Sequence, residues 1–321
     1  MSTGKLICND LVKKYGKKEI LHGIDLELEP DKIYGLIGRN GAGKTTLLST
    51  LTAQSPVTSG TVTYNGMPVW ENQDALDHIC FSRELNPLIG WGANSLKVKD
   101  YLKAASLFFP NWDKRLAERL IKDFELETKK KICKLSKGMM SMVTIIIALA
   151  SKADMTFLDE PVAGLDVIAR DAFYKELLSE YTETGRTFLV STHIIEEAED
   201  LFEETIFLND GRILLKETTQ TLLERAVHIS GKEEDVDAAT AGLTVYHPEK
   251  LGRSKAVTVL LREGQRIADG YDLSSQPVNL QNLLIALCGS DTHSDAPDVR
   301  RSTAEIPQNA PEGNSGDRKD R

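Results

Sequence analysis

The stretch GRNGAGKTT, residues 38–46, constrains this chain more than any other. It fits G-x-x-x-x-G-K-[ST], with Gly38, Gly43, Lys44 and Thr45 on the fixed positions. An apolar run, IYGLIG, leads into it, and TTLLSTLTA, with helical spacing, follows. A strand that ends in such a loop and passes at once into a helix predicts a polyphosphate cradle, which an ordinary glycine-rich turn would not need. The glycines let the backbone wrap closely round an anion. The loop through Arg39, Asn40, Gly41 and Ala42, and the helix start at Thr46, then turn their amides toward it. Lys44 would reach the β- and γ-phosphates, and the Thr45 hydroxyl would bind Mg2+.

The rest of the pattern predicts an α/β fold. KLICNDLVKKY and GIDLELEP alternate apolar and polar residues, as half-buried antiparallel strands do. TVTYNGMPV carries Asn65-Gly66, a hairpin signal. Helical spacing marks VKDYLKAASLFF and DKRLAERLIKDFEL. MTFLDEP and TFLVSTH read as buried strands, separated by the helix ARDAFYKELLSEY, and IIEEAEDLFE reads as a further helix. TIFLNDGRILL reads as a hairpin around Asn209, Asp210 and Gly211. Strands alternating with helices imply a largely parallel sheet with helices on its faces. The expected division is a nucleotide-binding domain over 1–216, with a helical subdomain at about 85–150. A small C-terminal α/β appendage over 217–289 and a disordered tail over 290–321 follow, the tail being rich in Pro, Asp, Ser and Arg and poor in large apolar residues.

Several further residues carry chemistry. FLDEP places Asp159 and Glu160 at a strand end, where Asp159 would hold Mg2+ and Glu160 would act as general base on the attacking water. His193, at the end of TFLVSTH, reads by itself either as a structural histidine or as one that contacts the γ-phosphate or orients Glu160 and the water. Tyr15, upstream of the phosphate loop, reads by itself either as an aromatic that stacks on adenine or as a half-exposed strand tyrosine. Far beyond the first loop, LSKGMMS at 135–141 reads as a second anion cradle without a lysine at the usual place. Why one chain should carry two is the question its sequence poses.

These pieces, in this order over roughly residues 5–225, resemble the ATP-binding subunit of an ABC transporter. The resemblance implies a P-loop ATPase of the ABC type: a mixed sheet core, an antiparallel β subdomain and an α-helical subdomain. LSKGM stands where that family has its signature loop, VAGLD at 162–166 where it has the D-loop, and STH where it has the switch histidine. Tyr15 matches the adenine-stacking aromatic. Two such subunits pack head to tail, so Ser136 and the Gly138 amide would contact the γ-phosphate of ATP held by the opposite subunit, and Asp166 would couple the two sites. That answers the question of the second cradle. Lys137 and Met139 depart from the usual Leu-Ser-Gly-Gly-Gln. Glu84 stands where the family carries its Q-loop glutamine, and it can still ligate Mg2+ through oxygen. The helix beginning MMSMVTIIIALA is more apolar than in many relatives, which implies deep packing.

Charge and composition bound the partners. Of 321 residues, 41% are hydrophobic and 27% charged, with a net charge of −9. An acidic balance disfavours free nucleic acid, which needs clustered Lys and Arg. The four cysteines share no metal-ligand spacing and read as reduced thiols. No signal peptide is expected, and MVTIIIALA falls short of the about 20 apolar residues that cross a bilayer. The resemblance therefore implies a separate membrane permease and a second ATP-binding subunit, identical or homologous, with this chain on the cytoplasmic face of the membrane. The surface between Glu84 and Tyr101, with Pro87, Leu88 and Trp91, is where that family docks its permease. Export is the implied direction. The competing readings are a soluble ABC-type ATPase acting on ribosomes or DNA, and a module that binds ATP without hydrolysing it. A single cassette with no heptad arm speaks against the first, and Glu160 against the second.

Overall fold

The computed structural model describes residues 4–85 and 96–289. Pro87, Leu88 and Trp91, expected on a docking surface, and the tail from 290 onward lie outside the described residues.

The chain opens with two long antiparallel strands, β1 (Leu6–Tyr15) and β2 (Lys18–Leu28), and then enters the buried strand β3 (Ile33–Ile37). Helix α1 (Lys44–Leu51) follows the glycine-rich loop. Next come the hairpin β4 (Ser59–Tyr64) and β5 (Met67–Pro68), the short helix α2 (Gln73–Leu76) and β6 (Ile79–Ser82). In the hairpin, Asn65 and Gly66 both take positive φ, 50° and 79°, as a two-residue turn between twisted strands requires. The helical layer holds α3 (Val98–Ala105), α4 (Lys114–Asp123) and α5 (Lys137–Ala150). α3 stops earlier than its apolar spacing suggests. Pro110 lies just ahead, the chain turns at Ser106–Phe108 rather than continuing the helix, and Leu107 and Phe108 are left exposed.

β7 (Met155–Asp159), α6 (Val167–Thr184) and β8 (Thr187–Ser191) complete a βαβ unit. The hairpin β9 (Glu204–Asn209) and β10 (Arg212–Thr218) leads through α7 (Thr219–Arg225) to a third sheet. Its elements are β11 (Ala226–Lys232), α8 (Glu233–Ala239), β12 (Val245–Leu251), β13 (Ser254–Leu260) and β14 (Leu273–Pro277). Helix α9 (Leu280–Cys288) is the last described element.

Three sheets result, with strand orders β2-β1-β4-β5, β10-β9-β3-β8-β7-β6 and β12-β13-β11-β14. In the six-stranded sheet, every pair from β9 to β6 is parallel, and only β10 runs against its neighbour. Successive residues of a strand face opposite sides. Tyr34 and Leu36 therefore pack with α1 and the first sheet, whereas Ile33 and Ile37 pack with the helical layer. α5 is buried along most of its length, as its apolar sequence implies. No helix among the described residues is long and apolar enough to cross a membrane.

The segment 194–203 is not the helix its apolar spacing suggests. It forms turns and a single 3-10 turn at Glu199–Leu201. Its carboxylates are drawn to distant partners: Glu197 pairs with Arg170, and Glu196 and Glu199 accept bonds from α9. Ile195, Ala198 and Phe202 stay buried, so the apolar spacing is satisfied without a regular helix.

Candidate active site

Parallel strands end together, and that is what assembles the site. The glycine-rich loop leaves β3, Asp159 closes β7 and Glu160 follows it, and His193 stands two residues beyond β8. All three exits lie at one edge of the sheet, the edge where open α/β sheets bind ligands.

The loop turns tightly over the start of α1. The Ala42 amide donates to the Arg39 carbonyl at 3.1 Å, and the Gly211 amide donates to the Ala42 carbonyl at 2.9 Å, which anchors the loop to the β9–β10 turn. Gly43 is the N-cap of α1, and Leu47 donates to its carbonyl at 2.8 Å, while Gly41, Asn40 and Arg39 are exposed. Thr46 lies in the first turn of α1, half-buried, and its carbonyl accepts from Thr50. Lys44 is only 7% exposed, and its ammonium donates to the carbonyls of Gly38 at 2.7 Å and Arg39 at 3.3 Å. Burial pushes its pKa down, and the carboxylates of Glu160 and Asp159 work in the opposite sense. A desolvated ammonium beside the N-terminus of α1 suits an anion, while the two carboxylates oppose it unless a cation offsets their charge.

Thr45 and Asp159 meet as expected. The Thr45 hydroxyl donates to Asp159 Oδ2 at 2.6 Å, while Asp159 Oδ1 is buried without a hydrogen-bond partner. A hydroxyl and a carboxylate with an unused oxygen are hard donors of the kind Mg2+ takes, so these two residues fit that ion.

Glu160 and His193 also meet. Nδ1 of His193 lies 2.5 Å from Glu160 Oε2, and the His193 amide donates to the same oxygen at 3.3 Å. The Glu160 amide donates to the Ser191 carbonyl at 2.9 Å, which continues the β7–β8 ladder past its end. Glu160 itself has φ of 51°. A non-glycine residue in the left-handed region costs on the order of 1–3 kcal/mol, and such strain gathers at working sites. The Glu160 carboxylate meets His193 through Oε2.

Tyr15 ends β1 and is 52% exposed, and the Lys13 ammonium sits 4.9 Å from the ring centroid. The open ring is available for stacking on a flat base.

The second cradle is built differently. Ser136 is the N-cap of α5, its hydroxyl accepting from the Met139 amide at 3.2 Å. Ser141 donates to the Ala163 carbonyl at 2.6 Å, tying α5 to the VAGLD turn. A Cβ on Gly138 would stand 2.5 Å from the Gly164 carbonyl, so only glycine allows this approach. Asp166 is the N-cap of α6 and accepts from the Ala169 amide at 2.9 Å. Among the described residues, no hydrogen bond or ion pair joins this cradle to the loop at 38–46. Ser141 and Gly164 carry no role in the sequence alone; the signal for Gly164 is its place in the middle of VAGLD.

Glu84 lies just beyond β6. Its carboxylate pairs with Lys137 at 3.3 Å, so it is turned to the second cradle, and no such pairing joins it to Thr45 or Asp159 among the described residues. Both side chains are about half exposed, and such a pair contributes about 0–1 kcal/mol.

The packing of Gly138 carries a direct prediction. Gly138→Ala is expected to force α5 from the 163–165 turn at a cost of about 1–3 kcal/mol. A lowered melting temperature together with reduced hydrolysis would bear this out. A variant that matches the parent in both would mean that the turn and α5 are not held as described.

The family model described as ABC transporter matches residues 21–163. The lantibiotic transport ATP-binding protein SrtF of Streptococcus pyogenes is 31% identical over 208 residues, covering 64% of this chain and 88% of SrtF. The Nod factor export ATP-binding protein I of Burkholderia orbicola is 27% identical over 306 residues, covering 91% of this chain and 99% of its own. A solved ATP-binding subunit of an ABC transporter superposes with a TM-score of 0.60 at 24% identity, covering 68% of this chain and 92% of that one, which supports the fold.

Proposed function

Because this chain belongs to the family of ABC transporter ATP-binding subunits, we propose that it hydrolyses ATP to drive export through a permease made by a separate chain. The observation that carries the reading is the contact between Glu160 and His193 beside the Thr45–Asp159 pair. A module that only holds nucleotide has no need of a base oriented by a histidine.

The residues divide the work. Loop amides and Lys44 bind the β- and γ-phosphates, and Tyr15 stacks on adenine. Thr45 and Asp159 would hold Mg2+, which when bound polarises phosphate oxygens as a Lewis acid. Glu160 takes a proton from water as its oxygen bonds to the γ-phosphorus, and the bond to the bridging oxygen of ADP breaks. His193 fixes the orientation of Glu160 during that step. Products are ADP and phosphate.

Ser136 and the Gly138 amide serve the γ-phosphate of ATP held by a second subunit. We take that subunit to be a second copy of this chain, since two-fold assemblies are the commonest. Each ATP then bridges two chains, and its hydrolysis removes the bridge, so the ligand shifts the closed–open balance through contacts made in one state only. The cytoplasmic membrane face is the site of action. Export as direction is supported by a relative whose name states it, the Nod factor export protein. Cargo is selected by the permease.

Affinity purification of the tagged chain from gently solubilised membranes of its native host tests the reading. A polytopic membrane protein is expected to come with it in stoichiometric amount. Recovery only with ribosomes or DNA-bound proteins, and none in membranes, would sink it.

A further inference from the structure

Helix α9 touches both halves of the nucleotide site. At its start, the Leu280 amide donates to Glu199 Oε2 at 3.0 Å, and the Gln281 side chain donates to Glu196 Oε1 at 3.1 Å. Both glutamates belong to the turns that follow His193. At its end, the Cys288 carbonyl accepts from Nη1 of Arg39, in the phosphate loop, at 3.3 Å.

The helix is well placed to transmit force. Asn279 caps it, accepting from the Asn282 amide at 2.8 Å, and the Gly289 amide closes its last turn on the Ile285 carbonyl at 2.7 Å. Leu280 and Leu283 are fully buried in the same core as Ile195, Ala198 and Phe202 of the switch segment. Nine residues span about 13 Å as a rigid rod. The carbonyls of a helix's last turn lack partners within the helix and carry partial negative charge, which suits a guanidinium. Arg39 therefore contributes its backbone to the phosphate loop while its side chain is bonded to Cys288, 249 positions away. α9 also follows β14 and packs on β12, so the third sheet is joined to both loops through it.

We propose that α9 is a brace that fixes the phosphate loop relative to the switch-histidine segment, and that Arg39, Glu196, Glu199 and Gln281 are positioning residues for hydrolysis. The inference rests on the ATPase reading above. Movement of the third sheet would reach Lys44 and His193 together, through one helix.

The test is a mutant cycle in the full chain, with kcat, KM for ATP and melting temperature measured for each protein. One arm is Arg39→Ala, the other is the pair Glu199→Ala and Gln281→Ala, and the third combines all three. Each arm alone is expected to lower kcat about three- to tenfold, and the combination to fall no further than the more damaging of the two arms. Sites this far apart with no shared partner otherwise act independently, so their effects would multiply. Arg39→Lys, which keeps a cationic donor, is expected to recover at least half of the kcat lost in Arg39→Ala. Should the alanine pair melt early, Glu199→Met with Gln281→Met keeps the packed volume, removes both hydrogen bonds to the start of α9 and serves the same purpose. Multiplying effects, or an unchanged kcat in the α9-start arm, would overturn the brace. A parent chain that fails to hydrolyse ATP would count instead against the ATPase reading.

Discussion

Replacing Glu160 by glutamine is expected to slow ATP hydrolysis about a hundred- to ten-thousand-fold, the usual worth of a positioned general base, while ATP still binds. Glutamine keeps the size of the side chain and can still meet His193 at the Oε2 position. What it loses is the capacity to take a proton from water. The phosphate-binding groups, Lys44 and the loop amides, are untouched, so ATP should accumulate on the protein rather than turn over. A single-turnover assay separates the two quantities. Unchanged hydrolysis in this variant would remove Glu160 from the reaction and leave the 2.5 Å contact with His193 as packing.

Lys44→Ala is expected to act on binding instead. The Lys44 ammonium is the one buried side-chain cation in the loop, and it already donates to the carbonyls that line it. A hydrogen bond to a charged group is worth about 1.5–3 kcal/mol, and each 1.4 kcal/mol is about tenfold in affinity. ATP affinity should therefore fall by at least about ten- to a hundredfold, with the fold retained, because burial already opposes the charged form of this side chain. Equilibrium titration with ATP measures it. Parent-like affinity would mean that the polyphosphate lies elsewhere.

Much of the site is legible in the sequence because its parts are local. A strand, a glycine-rich loop and a helix in succession name an anion cradle, and strands that end in Asp159–Glu160 and in His193 name an edge. Their meeting follows once β7 and β8 are neighbours, since Asp159 pairs with Ser191 across the ladder. The Thr45–Asp159 contact is harder to foresee, because β8 lies between β3 and β7 in the sheet and only the three-dimensional order brings the loop across. Three features stay hidden in the sequence for a physical reason. The 194–203 segment carries helical spacing but spends its carboxylates on partners far away in sequence, and such competition leaves no local trace. The tie between Arg39 and Cys288 spans 249 positions and uses a backbone carbonyl, which no residue type signals. Gly138 against Gly164 is of the same kind: each glycine is visible, but their closeness is a matter of packing.

The claim on which the rest depends is that ATP is held between two subunits, one giving its phosphate loop and the other Ser136 and Gly138. Sedimentation of the Glu160→Gln protein, which should bind ATP without consuming it, tests this most directly. With Mg2+ and ATP the mass should double from the 35.5 kDa of one chain, and with ADP it should remain that of one chain. A single-chain mass at saturating ATP would contradict the shared site and return the second cradle to the status of an unexplained loop.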